Sequence, residues 1–110
     1  MGSHNVNMDE AGREVITLSG VFGLEDASSL AQTLADALKR PAEDILLSVD
    51  GVEQGGAPFF QLLFALCRQA RLDGKRVTLA HPLSTGLSRQ AEQLGISKQD
   101  FDAHFTSEAI

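Results

Sequence analysis

Between Ile45 and Leu72 the chain passes through an apolar run, a glycine-rich break and a long apolar helical pattern, and this succession narrows the fold more than any other stretch. Ile45-Leu46-Leu47-Ser48-Val49 is nearly continuous in its apolar character, as expected of a central strand covered on both faces or nearly so. Asp50-Gly51 ends that run and Gly55-Gly56 marks a loop. Pro58 then opens a helix, because a proline in the first turn lacks only an N–H that would have no partner there. The helix is expected to start within a residue of Pro58 and to reach about Leu72, where Asp73-Gly74 supplies a left-handed stop.

The flanking segments supply the rest of an alternating pattern. His4 to Met8 alternates weakly, Asp9 to Gly12 reads as a turn, and Glu14 to Ser19 is β-branched and apolar, so an N-terminal hairpin is expected. Ala27, Leu30, Ala31, Leu34, Ala35 and Leu38 recur at spacings of three and four and define one side of a helix. Asp26 is its expected N-cap, Lys39-Arg40 suit its negative C-terminal end, and Pro41 stops it. Arg76 to Ala80 forms the next strand.

Ser84 or Thr85 then caps a helix with Leu87, Ala91 and Leu94 on its inner side and Gly95 at its end. Ser97 with Asp100 three residues on predicts a capping box for a short last helix presenting Phe101 and Phe105. Strands separated by helices of these lengths imply parallel neighbours with right-handed crossovers. The fold class is therefore α/β, with a mixed sheet of four to five strands.

A chain of 110 residues suits one domain, here divided into an N-terminal segment, 1–12, and a main body, 13–110. Met1-Gly2-Ser3-His4 is compatible with a cloning remnant. With 43% hydrophobic and 22% charged residues the chain has the means to bury a core, and its net charge of −6 disfavours nucleic acid and anionic membranes as partners. The single cysteine forbids an internal disulfide. Together with the lack of an apolar span or signal region, it suggests a cytoplasmic protein.

Residues capable of chemistry are scattered. Cys67 falls on a helical face with Phe60, Leu63 and Phe64 and reads as a buried thiol. His4, His81 and His104 have no ligand spacing, so no metal site is expected, and no nucleophile motif supports catalysis. Gly55-Gly56 lacks the lysine and hydroxyl of a phosphate-binding loop, so no cofactor is expected there either, and the pair reads most simply as a loop needing positive φ angles. Phe59, Leu62 and Leu66 add a second apolar stripe to the Pro58 helix. Either that stripe is packed between neighbouring elements or it meets another protein or a second copy.

The stretch from Asp50 to Leu63 resembles the middle of a STAS domain, the anti-sigma factor antagonist family, whose pattern runs D-[LV]-S-G-V-x-x-[IM]-D-[ST]-[ST]-G-L-x-x-L. Asp50, Gly51, Val52, Gln61, Leu62 and Leu63 fit that frame, except that Asp50 and Gly51 are adjacent where the pattern separates its Asp and Gly. Where the family carries an acidic residue, two hydroxyl residues and a glycine, this chain has Gly56, Ala57, Pro58 and Phe59. The resemblance covers roughly residues 13 to 96 and implies helices packed mainly on one face of the sheet.

It also implies a non-catalytic protein-interaction module of bacterial signalling, whose partner is a serine kinase acting as anti-sigma factor or a chemotaxis-type protein. The alternative is an accessory subunit of a transport or lipid-handling complex. In the family a hydroxyl at the start of the second helix is phosphorylated. Ala57 and Pro58 have no hydroxyl, which leaves Ser84 and Thr85 as weak substitutes. The expected partner-binding surface is Gly55, Gly56, Ala57, Pro58, Phe59 and Phe60, with Phe59 as an exposed apolar anchor; a homodimer through the same surface is compatible with the pattern.

Overall fold

A computed structural model describes residues 2–81, 83–97, 99–100 and 106–107. Its elements are β1 (Gly2–Met8), β2 (Glu14–Phe22), a 3-10 turn (Leu24–Asp26), α1 (Ala27–Lys39), β3 (Asp44–Gly55), α2 (Ala57–Leu72), β4 (Arg76–Leu79), α3 (Thr85–Gln93) and β5 (Thr106–Ser107). The strands form one sheet in the order β1-β2-β3-β4-β5; β1 is antiparallel to β2, and every later neighbour is parallel. The N-terminal hairpin is present. Its turn is held by Asp9, whose carboxylate accepts the Ala11 and Arg13 N–H groups at 3.0 and 2.8 Å.

The helices pack on one face of this mixed sheet, and the strands show it residue by residue. In β2, Glu14, Ile16 and Leu18 are buried, whereas Val15 is half-buried and Thr17 exposed. In β3, Ile45, Leu47 and Val49 are buried, and Leu46 and Ser48 are only half-buried. The apolar run of β3 is thus covered on one face, not both. Leu46 instead shares the open face with Val15 and Thr78, its cross-strand neighbours.

The larger departure from expectation lies beyond Val49. Asp50 to Gly55 is not a loop but the second half of β3, paired with the end of β2. Between the pairs Thr17–Ser48 and Ser19–Gly51, and again between Gly20–Val52 and Val21–Gln54, β3 has one residue more than β2. Each extra residue is a bulge that flips the alternation. The buried positions accordingly run 45, 47, 49 and then 52 and 55. A strand with that spacing does not read as period two, which is why the sequence pattern suggests a loop there.

Helix ends follow local chemistry more closely. Gly74 and Gly95 have φ of 75° and 84° behind α2 and α3. Ser84 caps α3, its Oγ accepting the Leu87 N–H at 3.2 Å. Ser97 and Asp100 exchange reciprocal hydrogen bonds of 2.9 and 3.1 Å, the geometry of a capping box; Phe101 and Phe105 of the expected last helix lie outside the described residues, as does His104.

Three details differ from expectation. Asp26 does not cap α1: it belongs to the preceding 3-10 turn, and its carboxylate reaches back to the Gly23 N–H at 2.9 Å. On α1 the innermost residues are Leu30, Leu34 and Ala37, while Ala35 is exposed. Leu94 lies past the end of α3 and is exposed, so the inner side of α3 is Leu87 and Ala91.

One core cluster joins β2, β3 and β4 to the three helices. α2 sits against α1 and against β3 and β4, which accounts for its second apolar stripe: Phe59, Phe60, Leu63, Leu66, Cys67 and Ala70 are all buried. Cys67 is 3% exposed, and burial pushes its thiol up to about 12, overcoming the opposing pull of the Arg71 and Arg68 charges.

Candidate protein-docking site

At the C-terminal end of the parallel strands, β3 hands the chain to α2 through Gly56 alone. Gly56 is the N-cap in an extended conformation, and Pro58 occupies the first turn as its ring chemistry predicts. Neither Gly55 nor Gly56 has a positive φ. Gly55 is required for a different reason. A Cβ placed on it would run into the Phe59 ring, whereas one on Gly56 would meet only Pro58 Cδ at 3.7 Å.

Phe59 and Phe60, expected at the surface, are core residues at 3% and 0% exposure. The Phe59 ring stacks on Phe22 with centroids 5.1 Å apart and meets Phe60 edge-on at 5.3 Å. The cause is coverage: Leu63 and Phe64, one turn on, continue the side that Phe59 and Phe60 share, and Phe22 at the end of β2 lies against the Phe59 ring, so the first turn packs inward. Phe59 therefore cannot be an exposed anchor. What the structure leaves at the surface from the expected site is Gly56, Ala57 and Pro58, all half-buried, next to the exposed Glu53, Gln54 and Gln61.

The edge of β3 here has lost its strand neighbour, because the β3–β4 pairing runs only from Asp44–Arg76 to Leu47–Leu79. Gln90 of α3 takes the place of a strand. Its Oε1 accepts the Gly55 N–H at 2.8 Å and its Nε2 donates to the Glu53 carbonyl at 3.1 Å. Asp50, also exposed on β3, approaches His81 after β4 at 3.5 Å. Gln90 lies 35 residues from Gly55, so no local pattern could have announced it.

The alternative hydroxyls lie on the neighbouring connection. Ser84 is exposed but already committed as the cap of α3, and Thr85 is exposed in its first turn. Among the described residues no group of three or more His, Cys, Asp or Glu side chains gathers with metal-binding geometry. Among them, no helix is long and apolar enough to cross a membrane.

A mixed sheet with helices on one face, whose second helix starts where the third strand ends, defines a small α/β module. The family model described as "Mlab, STAS domain" matches residues 6–101, and the chain belongs to the STAS domain family. No curated relative matches it in sequence.

Among solved structures, the anti-sigma factor antagonist SpoIIAA in its unphosphorylated form is similar with a TM-score of 0.65 at 16% identity, covering 92% of this chain and 96% of that one. The phosphorylated form of the Bacillus cell fate determinant SpoIIAA gives 0.69 at 14% identity, with 96% and 90% covered. An anti-sigma factor antagonist from Mycobacterium paratuberculosis gives 0.68 at 19% identity, with 97% and 85% covered. At these identities the likeness establishes the shared fold.

Proposed function

We propose that this protein is a non-catalytic interaction module of bacterial cytoplasmic signalling, of the anti-sigma factor antagonist type, and that it binds its partner without being switched by phosphorylation at the start of α2. The observation that carries this reading is the surface left at that helix start. Gly56, Ala57 and Pro58 stand at the strand ends of a STAS fold, supported from below by the Phe22–Phe59–Phe60 stack, and none of the three carries a hydroxyl. A phosphate there would add about −1.5 to −2 charges to the docking face, and this chain has removed the acceptor for it. The partner class that fits is a serine kinase that doubles as an anti-sigma factor, or a chemotaxis-type signalling protein.

The test is affinity purification from the native host, identification of the bound protein and reconstitution with and without Mg-ATP. The expected result is a complex with a kinase-like or signalling protein that persists when ATP is added. Release by ATP with phosphate mapped to Ser84 or Thr85 would move the switch to the start of α3. Co-purification of transporter subunits instead would assign the module to a transport or lipid-handling complex.

A further inference from the structure

Once Phe59 and Phe60 are assigned to the core, the docking surface needs another apolar anchor, and the 3-10 turn after β2 holds one. Leu24 is 78% exposed in a turn that is tied down from within. Asp26, buried beneath it, accepts the Gly23 N–H at 2.9 Å and the Gly2 N–H at 3.4 Å, and α1 continues directly from the turn. Two residues earlier, Phe22 is buried and stacks on Phe59, the residue after Pro58. Leu24 is therefore coupled through rigid, packed groups to the start of α2 and held toward solvent.

Charge describes what covers it. Glu25 follows Leu24, and Glu53 is exposed near the same end of the sheet, with Asp50 exposed midway along β3. The cations Arg13, Lys39, Arg40, Lys75 and Arg76 lie at the opposite end, where β2, β3 and β4 begin and α1 finishes. Arg68 and Arg71 are in the second half of α2, heading the same way. Of the described residues near the docking end, Arg89, beside Gln90 on α3, His81, facing Asp50, and His4, hydrogen-bonded to Ser29 and Thr33 in the first turns of α1, carry or can carry positive charge.

We infer that Leu24 is the apolar anchor of the docking surface and that the partner is a protein presenting an apolar pocket rimmed by Arg and Lys. This rests on the interaction-module reading above and adds to it the anchor and the charge of the partner. A second copy is disfavoured as the occupant, because face-to-face pairing would bring Glu25 and Glu53 of both copies together, and like charges across an interface oppose binding.

The experiment takes the protein captured from the native host, identified by mass spectrometry and purified, and measures its affinity by calorimetry at low and high salt. Four forms are compared: the wild type, Leu24→Asp, Leu72→Asp and the pair Glu25→Lys with Glu53→Lys. Leu72, 80% exposed at the far end of α2, is the control for a generic loss of surface leucine. Leu24→Asp should weaken binding by about thirtyfold or more, as loss of an interface anchor does, while Leu72→Asp binds like wild type. The lysine pair should weaken binding most at low salt, and wild-type affinity should fall as salt rises. The thermal midpoint of Leu24→Asp should match that of wild type, since its side chain is exposed.

Unchanged binding by Leu24→Asp would overturn the anchor. Affinity indifferent to salt and to the lysine pair would overturn the basic partner. A wild type that captures nothing, even with chemical cross-linking, would instead defeat the interaction-module reading on which this one stands.

Discussion

Gln90 on α3 completes the hydrogen bonding of Gly55 on β3: the Gly55 N–H donates to Gln90 Oε1 at 2.8 Å, and the same amide returns a bond to the Glu53 carbonyl. A side chain thus pairs with strand backbone where β4 has already ended, and it fixes the strand end from which α2 departs.

Gln90→Ala should leave the Gly55 N–H and the Glu53 carbonyl without protein partners. The expected cost is about 1 kcal/mol per lost bond, read as a lower urea midpoint. Hydrogen exchange separates this from a general loss of stability, because protection should fall first at the Gly55 amide. Unchanged exchange at Gly55 would mean that the amide bridge is not formed in solution.

The contact between Gly55 and the Phe59 ring predicts opposite outcomes at adjacent glycines. Gly55→Ala puts a Cβ into the ring, which is confined by Phe22 and Phe60, and should cost about 1–3 kcal/mol. Gly56→Ala meets only an ordinary contact with Pro58 and should stay within about 0.5 kcal/mol of wild type. Phe59→Ala should cost about 3–5 kcal/mol, and Phe59→Asp should leave little folded protein. Thermal unfolding checks all four; a folded Phe59→Asp of normal stability would return that ring to the surface.

Cys67 predicts a pH dependence. Its thiol is raised from an ordinary 9.0 to about 12 by burial, so at pH values between these the unfolded chain gives up a proton that the folded chain keeps. The stabilisation is complete below 9.0 and is lost as pH rises toward 12. The slope is at most about 1.4 kcal/mol per pH unit from this group. Urea unfolding at about pH 8 and about pH 10 should show a steeper decline for wild type than for Cys67→Ala. Parallel declines would show that the thiol ionises equally in both states.

Glu14 opens β2 fully buried, with Oε1 accepting from Arg40 and Oε2 without a partner. Arg40 is half exposed and can be solvated alone, whereas Glu14 cannot. Arg40→Ala should therefore cost more than Glu14→Gln, about 2–4 kcal/mol against about 1, because only the first strands a charge inside the protein. Equal losses in chemical denaturation would show that solvent reaches Glu14.

Sequence alone determined those features whose causes lie within a few residues of each other. Pro58 marks the first turn of α2, Gly74 and Gly95 end two helices, Ser84 caps α3, and Ser97 with Asp100 forms a box; each is a contest between neighbouring backbone and side-chain groups. The alternation of strands and helices, and the resemblance carried by Asp50 to Leu63, were legible for the same reason. The absence of a phosphate acceptor at Ala57 and Pro58 was likewise a matter of composition.

Tertiary structure decided what depends on partners distant in the chain. The two bulges that turn 50–55 from loop into strand exist only because β2 pairs with it, and Gln90 and Arg40 reach their partners across 35 and 26 residues. Phe59 reads as an anchor on an isolated helix and becomes core only when Phe22 lies beside it. Helical periodicity reports which residues share a side. It does not report how much of the circumference other elements cover, and that coverage separated the buried Phe59 from the exposed Leu24.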